Sequence, residues 1–191
     1  TVIGAGGTAV HVTAGKVKVD GVAVNGSTTG IHADGVNGVT LTNNVITGTS
    51  GDGIKLTNSD RDTVSNSKIH NVGGRAVSAT AGSDFALIDN NLIYGTGKEG
   101  IYVADSNSSR ITNNSIGYID RGTTAGAANN INGDGILIER AKNFDVPGTL
   151  VTNNNITETT SLKQDYGSGV HVRYSNYLLV ADNDIRNTAW D

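Results

Sequence analysis

The segment 100–116, GIYVADSNSSRITNNSI, contains a pattern that recurs along most of the chain. It begins with a strand-like tetrapeptide, Gly-Ile-Tyr-Val, and continues after a polar turn with Arg-Ile-Thr, an Asn-Asn pair and, two residues later, an isoleucine. The isoleucine that follows this pair, or its counterpart, recurs at Ile46, Ile69, Ile93, Ile116, Ile156 and Ile185. The first three steps are 23, 24 and 23 residues, and the last two are 40 and 29 residues. A period in the twenties is typical of a solenoid, in which each repeat is one coil.

The second residue of each pair occupies an equivalent position in successive repeats. Stacked coils would place equivalent residues about 4.8 Å apart, which is the spacing of neighbouring strands. A buried asparagine there can hydrogen-bond to the asparagines above and below it, so its amide is not left unsatisfied. We therefore predict an internal asparagine ladder. Its members are Asn44, Asn91, Asn114, Asn154 and Asn183, with Ser67 at the same position.

The repeat holds two or three short strands and no helical stretch, and it resembles the right-handed parallel β-helix superfamily. That superfamily includes pectate-lyase-like enzymes, phage tailspikes and NosD-like repeat proteins. The resemblance covers nearly the whole chain, and it is specific for the fold and weak for an activity. It implies an all-β fold, a right-handed single-stranded parallel β-helix of about seven coils with about 23 residues per coil. We expect a single domain over residues 1–191, with insertions near 117–133, 147–150 and 157–168.

The composition argues against several classes of protein. The formal net charge of −4 and the sequence pI of about 5.5 argue against nucleic acid as the main partner. The absence of cysteine excludes disulfides, thiolate metal ligands and a thiol nucleophile. No apolar run approaches about 18 residues, so the sequence predicts no membrane span.

The two ends of the chain fall within the repeat pattern. The sequence contains no methionine, and no amphipathic helical segment covers either end. Because the end coils of a solenoid need polar caps, we expect this chain to be an internal segment of a longer rod. Its unpaired strand edges would then allow end-to-end self-association.

Alternate residues of the Gly-Ile-x-Val strand are expected to point out of the coil. They form two outward columns. The first outward column contains His11, His32, Lys55, Ser78, Tyr102, Leu137 and His171. The second outward column contains Thr13, Asp34, Thr57, Thr80, Ala104, Glu139 and Arg173. Three of the four histidines of the chain fall in the first column, which indicates a functional face.

Such a face suits a polysaccharide, because one sugar residue is about as long as the spacing between coils. Lysine and arginine on it favour an acidic polysaccharide, since they bind uronate carboxylates. In β-elimination or C5 epimerisation, a base removes the proton next to that carboxylate while a cation stabilises the charge that develops. The candidate catalytic residues are His171, Tyr102 and Arg173. The candidate substrate-binding residues are Lys55, His32, Glu139 and Arg173. The hypothesis is therefore an extracellular or cell-surface module that binds an acidic or neutral polysaccharide. If the protein is an enzyme, we expect it to be part of a uronan lyase or a C5-epimerase-like enzyme.

The motifs of the best-known enzymes with this architecture are absent. Alginate C5-epimerases of the superfamily carry an Asp-Pro-His-Asp/Glu tetrad, whereas the one proline here, Pro147, is followed by glycine. The adjacent aspartate pair of polygalacturonases and the Gly-Gly-x-Gly-x-Asp repeat that binds calcium are also missing. We therefore predict no metal site and no evident cofactor, and calcium has no motif that supports it.

An alternative from a different class is a non-catalytic structural solenoid, such as an adhesin spacer, a filament subunit or a tailspike shaft. Under this interpretation Glu139 and Arg173 form an ordinary exposed ion pair on adjacent coils. The residues Asp52, Arg75 and Glu99, which precede successive strands with alternating charge, then form a surface charge ladder. The insertions are then tolerated surface loops.

Overall fold

The computed structural model describes residues 2–3, 6–119, 133–142, 148–159 and 167–188. They form short strands whose bounds, in chain order, are β1 (Val2–Ile3), β2 (Thr8–Val12), β3 (Lys18–Asp20), β4 (Ala23–Asn25), β5 (Thr29–Asp34), β6 (Thr40–Thr42), β7 (Val45–Thr47), β8 (Ile54–Thr57), β9 (Thr63–Ser65), β10 (Lys68–Val72), β11 (Val77–Thr80), β12 (Leu87–Asp89), β13 (Leu92–Thr96), β14 (Ile101–Ala104), β15 (Arg110–Thr112), β16 (Ser115–Ile119), β17 (Ile136–Glu139), β18 (Leu150–Thr152), β19 (Asn155–Thr159), β20 (Val170–Arg173), β21 (Leu179–Ala181) and β22 (Asp184–Arg186). Within these ranges no helix has the length and apolarity needed to cross a membrane.

The strands form three parallel sheets, because every third strand pairs with its equivalent in the next coil. Sheet 1 has the order β1-β4-β7-β10-β13-β16-β19-β22, sheet 2 the order β2-β5-β8-β11-β14-β17-β20, and sheet 3 the order β3-β6-β9-β12-β15-β18-β21. The prediction of an all-β, right-handed parallel β-helix of about seven coils is confirmed. Most of the predicted insertions at 117–133 and 157–168, and residue 147 of the one at 147–150, lie outside the described residues. The single-domain boundaries stay a prediction.

The core is a stack of equivalent aliphatic side chains from the three sheets. In sheet 1 the predicted isoleucine register is confirmed, with the pairings Ile46–Ile69, Ile69–Ile93, Ile93–Ile116, Ile116–Ile156 and Ile156–Ile185. These side chains are buried, except that Ile185 in the last described coil is 42% exposed. β-branched residues suit this position because their restricted rotamers pack well on a pleated surface. End-to-end association stays a prediction.

The Asn-Asn pairs form the turn from sheet 3 to sheet 1, and the two asparagines have different roles. The first residue of each pair has a positive φ, as in Asn43 (56°), Asn90 (53°) and Asn113 (56°). Asparagine is one of the few residues with a side chain that adopts this left-handed conformation readily. The turn directs the second residue inward, so Asn44 and Asn114 are buried. The sequence pair is therefore one turn residue followed by one interior residue.

The interior asparagines are linked from coil to coil. The backbone N–H and the side-chain Nδ2 of Asn114 both donate to Oδ1 of Asn154, at 3.0 Å each. Nδ2 also donates to the carbonyl of Ile88 at 2.9 Å. In the same way, Asn91 donates to Oδ1 of Asn114 and Asn154 donates to Oδ1 of Asn183. Ser67 continues the line, since its backbone N–H donates to Asn91 and its hydroxyl accepts from the backbone of Asn44.

Three serines in the turns after strands β8, β11 and β14 of sheet 2 form a second internal line, which was not predicted. The backbone N–H of Ser59 donates to Oγ of Ser83 at 3.2 Å, and that of Ser83 donates to Oγ of Ser106 at 3.0 Å. All three serines are fully buried. The coils that contain Ser59 and Ser83 therefore satisfy backbone donors at two of their corners with side chains of the next coil.

Replacing Asn114 with leucine is expected to lower the free energy of unfolding by about 1 to 3 kcal/mol, because buried amides on both sides lose a partner. Chemical denaturation followed by circular dichroism measures the effect. The matched control is Asn155→Leu, since Asn155 is the exposed neighbour of the ladder in the next coil. Equal unfolding free energies for the two variants would contradict a stabilising ladder.

Candidate functional site

The outward columns of sheet 2 lie side by side over the described coils. Strand pairing places the first-column residues on adjacent strands, in the order His11, His32, Lys55, Ser78, Tyr102, Leu137, His171. The second column follows the same pairings from Asp34 to Arg173. Thr13 follows the last residue of β2. The two columns are therefore continuous in the strand register, although Ser78, Leu137 and Ala104 within them are buried.

A third column consists of the residues two positions before β8, β11, β14, β17 and β20 of sheet 2. Its members are Asp52, Arg75, Glu99, Asp134 and Ser168. Asp134 was not predicted as a site residue. The signal was present, because Asp134 precedes Gly135 as Asp52 precedes Gly53 and Glu99 precedes Gly100.

His171 is held by Asp134. The imidazole Nδ1 lies 2.9 Å from Oδ2 of Asp134, whose side chain is only 2% exposed, whereas that of His171 is 35% exposed. The other carboxylate oxygen accepts a hydrogen bond from the backbone N–H of Ser168 at 2.8 Å. An ionised carboxylate accepts only, so we assign the proton on Nδ1 and the lone pair on Nε2. Among the described residues Nε2 has no hydrogen-bond partner, so His171 can act as a base.

The same arrangement occurs three coils earlier with a serine in place of the histidine. Oδ1 of Asp52 accepts from the backbone N–H of Arg75 at 2.9 Å, and Oδ2 accepts from the hydroxyl of Ser78 at 2.8 Å. An aspartate in the third column therefore links to the backbone of the next coil and to a first-column side chain. What distinguishes the later coil is a titratable imidazole at that first-column position.

Glu139 joins three side chains on the same face. Its Oε2 accepts from the hydroxyl of Tyr102 at 2.9 Å and from Nη2 of Arg173 at 3.1 Å, and its Oε1 contacts Nη1 of Arg140. The Glu139 side chain is only 9% exposed. The interpretation of Glu139 and Arg173 as an ordinary exposed ion pair is therefore wrong, because the longer side chains around the carboxylate cover it.

The protonation states within this cluster follow from its contacts. Burial alone would raise the pKa of Glu139, but hydrogen bonds from Tyr102 and Arg173 and the charges of Arg173 and Arg140 outweigh it and lower that pKa. Burial raises the pKa of Tyr102, as do its hydrogen bond to Glu139 and the negative charge of that group. At neutral pH Glu139 is therefore ionised and Tyr102 protonated. Tyr102 is suited to donate a proton rather than to accept one.

Arg75 fixes the ring of Tyr102. Its Nε donates to Oε2 of Glu99 at 2.8 Å, and its guanidinium carbon lies 4.0 Å from the centroid of the tyrosine ring. A guanidinium over an aromatic face is a favourable cation–π contact. The interpretation of Asp52, Arg75 and Glu99 as a surface charge ladder is wrong in one respect, because Glu99 is buried. The alternating charges instead position a first-column side chain.

The arginines of the cluster differ in how many of their donors are engaged. Nε and Nη2 of Arg140 donate to the two oxygens of Asp105, each at 2.8 Å, in a bidentate pair. Arg173 uses Nη2 for Glu139, and its buried Nε has no hydrogen-bond partner in the described part of the chain. Among the described residues, Arg140 is thus engaged by two carboxylates and Arg173 by one.

The remaining predicted site residues lie farther along the face. Lys55 on β8 is three strands of sheet 2 from Glu139 on β17, and His32 on β5 is four strands from it. At about 4.8 Å per strand, neither residue can touch a ligand group held at Glu139. Only a ligand that extends over several coils would meet them together with Arg173.

One cluster of metal-ligating types exists among the described residues, although no metal site was predicted. His11, His32 and Asp34 each offer a ligand atom, and these atoms all lie within 4.8 Å of one another. The sequence signal was the pair of histidines on neighbouring coils, with an aspartate two residues after the second one.

The repeat matches a known family. Residues 8–155 match the family described as right handed beta helix region. The chain belongs to the right-handed β-helix family. A comparison of this β-helix sequence with curated proteins finds no match.

Solved structures share the β-helix fold at low sequence identity. The A-module of the Azotobacter vinelandii mannuronan C-5 epimerase AlgE4 superposes with a TM-score of 0.64 at 14% identity, covering 97% of this chain and 54% of that one. The periplasmic alginate epimerase AlgG gives a TM-score of 0.56 at 15% identity, covering 88% of this chain and 45% of that one. Tailspike protein 2 of Escherichia coli O157:H7 bacteriophage CAB120 gives a TM-score of 0.51 at 12% identity, covering 94% of this chain and 23% of that one. The chain thus spans about half the length of the two epimerases, and the likeness concerns the fold alone.

Proposed function

We propose that this β-helix acts on an extracellular or cell-surface polysaccharide that contains uronate residues, and that it removes the C5 proton of a bound uronate. The observation that carries the proposal is the His171–Asp134 pair, which lies on the same face as the cluster of Tyr102, Glu139 and Arg173. Buried charged groups joined to titratable residues on one face are typical of reaction sites. Proton abstraction at C5 is the step that β-elimination and C5 epimerisation share. Two of the structurally similar proteins are named as epimerases of mannuronan or alginate.

In this proposal His171 is the base. The C5–H bond breaks, the proton goes to Nε2, and the electron pair is delocalised into the uronate carboxylate. Asp134 acts as a positioning residue, because its hydrogen bond to Nδ1 fixes the ring and stabilises the imidazolium that forms.

Tyr102 is the proton donor. Its strand is two steps from that of His171 in sheet 2, roughly 10 Å along the column, which leaves room for a sugar ring between the two side chains. Tyr102 protonates C5 from the opposite face in epimerisation. In elimination it protonates O4 as the C4–O4 bond breaks.

Arg173 binds the uronate carboxylate. Its side chain is 39% exposed, so the accessible part of its guanidinium can meet a ligand while Nη2 holds Glu139. A cation at this carboxylate stabilises the negative charge that develops when C5 is deprotonated. Glu139 keeps Arg173 and Tyr102 in place rather than contacting the sugar itself.

One observation favours the non-catalytic structural solenoid as a second candidate. The contacts of Asp134 and His171 repeat those of Asp52 and Ser78, where the first-column residue is a serine rather than a histidine. An aspartate at this position therefore has a structural use in its own right. Under this candidate the face has no substrate.

Replacing Arg173 with alanine is expected to weaken binding of alginate or pectate by about 1.5 to 3 kcal/mol, roughly 10- to 150-fold, because a charge-assisted hydrogen bond is lost. Isothermal titration calorimetry measures the affinity, with a neutral glucan as a reference ligand. The matched control is Arg110→Ala, which removes the same charge from an exposed position on sheet 3 and should leave the affinity unchanged.

Two outcomes would count against the proposal. If the parent protein binds neither uronan, the structural solenoid is the better description. If it binds uronan but neither exchanges C5 protons with deuterated solvent nor releases an unsaturated sugar, the face is a binding site without catalysis. Nuclear magnetic resonance measures the exchange, and ultraviolet absorbance measures the unsaturated product.

A further inference from the structure

We propose that His11, His32 and Asp34 form a binding site for one divalent transition-metal ion, of the class of Zn²⁺, Co²⁺ or Ni²⁺. The site lies at the other end of the sheet 2 face from the His171–Asp134 pair. It is independent of the proposed action on polysaccharide.

The β ladder brings the three donors together. His11 on β2 and His32 on β5 are directly paired in the register, and their rings stack with centroids 5.3 Å apart and an interplanar angle of 11°. Asp34 follows His32 by two residues on the same strand, so its side chain leaves the same face of the sheet. Because strand pairing determines where each side chain starts, the ligand atoms are already gathered within 4.8 Å before any ion binds.

Only a small adjustment separates this arrangement from a coordination geometry. Metal–ligand distances of about 2.0 to 2.2 Å place the donors of a tetrahedral ion roughly 3.4 Å apart. His11 is exposed, so rotation of its ring meets no packed neighbour of the core. Asp34 is exposed as well, and its carboxylate can turn toward the imidazoles.

Thr57 supplies the supporting contact that ligand histidines usually have. Nε2 of His32 lies 3.1 Å from the hydroxyl of Thr57 on the next strand. Metal-binding histidines characteristically use one ring nitrogen for the ion and the other for such a partner. This contact reserves Nδ1 of His32 for the metal.

The donor set selects the class of ion. Two imidazoles and one carboxylate suit Zn²⁺ and its neighbours in the first transition row, whereas Ca²⁺ and Mg²⁺ prefer sites made of oxygen atoms. Lys55 pairs with His32 on the following strand, and its positive charge opposes a cation at this site. Removing that charge is therefore expected to tighten metal binding, a gain that a purely structural role of these side chains would not produce.

Isothermal titration calorimetry of the 191-residue chain with ZnCl₂ tests the proposal. We expect one ion per chain, with affinity reduced at least about tenfold in His11→Ala and in Asp34→Asn, and by about tenfold in Thr57→Val. Lys55→Gln should bind more tightly than the parent. Replacing Zn²⁺ with Co²⁺ should give visible absorption bands that vanish in His11→Ala.

The controls are His70→Ala, on sheet 1, and His171→Ala, at the distant pair, and neither should alter the stoichiometry or the affinity. Circular dichroism checks that each variant is folded, and His11→Ala removes an exposed side chain, so its folding is not at risk. The proposal is overturned if the parent binds no Zn²⁺, if His11→Ala binds as the parent does, or if His171→Ala is the variant that loses the ion.

Discussion

Replacement of His171 with alanine is expected to slow the exchange of uronate C5 protons by about a thousandfold, within the range that a general base contributes. The reason is that, in the proposed reaction, Nε2 of His171 receives the C5 proton, and alanine offers no group that could do so. The rate is measured by nuclear magnetic resonance as deuterium incorporation from solvent, with alginate and pectate as separate substrates. The binding affinity for the uronan should change much less than this rate.

Two further variants distinguish a catalytic role of the His171–Asp134 pair from a purely structural one. Ser78→Ala removes the serine that Asp52 holds in the equivalent arrangement, and it should leave the exchange rate unchanged. Asp134→Asn should slow exchange nearly as much as His171→Ala, because an amide facing Nδ1 favours the tautomer with the proton on Nε2. A His171→Ala variant that exchanges C5 protons at the parental rate would remove His171 from the mechanism.

The fold could be predicted because its determinants repeat in the sequence. Most coils bury an isoleucine at one position and an asparagine two residues earlier, so residues that stack in space are the ones that recur along the chain. The serine line escaped prediction for the converse reason. Ser59 lies two residues after the end of its strand, whereas Ser83 lies three residues after the end of its own, since Ala81 and Gly82 both take left-handed conformations there. A shift of one residue hides a repeat in the sequence.

The sequence pattern predicted which side chains of the candidate site leave the coil, but not which of them are buried. Period-two alternation identified which side chains leave the coil, and strand pairing places Tyr102 and His171 in one column. Alternation says nothing of what covers an outward side chain, so the burial of Glu139 beneath its neighbours was not foreseen. Asp134 was missed because the third column was traced in the sequence only as far as Glu99, and the longest gap in the repeat separates Glu99 from Asp134. Contacts made by long side chains between coils depend on rotamers, which the sequence pattern does not encode.

Replacing Gly100 with valine is expected to lower the free energy of unfolding by about 3 kcal/mol or more. A Cβ atom at this position would lie 2.7 Å from the carbonyl oxygen of Gly135 and 2.8 Å from Cγ2 of Ile116. That carbonyl accepts a ladder hydrogen bond from the backbone of Ile101 at 2.9 Å, so it cannot retreat without weakening the pairing of β14 with β17. Valine adds two further methyl groups to this contact. Chemical denaturation followed by circular dichroism measures the loss.

The control is Ser115→Val, which places the same side chain on an exposed strand position of the same coil and should change stability by no more than about 0.5 kcal/mol. Gly100→Ala should fall between the two, since Ala76 shows that one coil accommodates a methyl group at the equivalent position. The backbone N–H of Gly100 donates to the carbonyl of Asp134 at 3.0 Å, so the clash also displaces the residue that holds His171. Gly100→Val should therefore lose stability and C5-proton exchange together, whereas His171→Ala loses the exchange alone. If Gly100→Val unfolds at the same denaturant concentration as Ser115→Val, the close stacking of these glycines does not limit the fold.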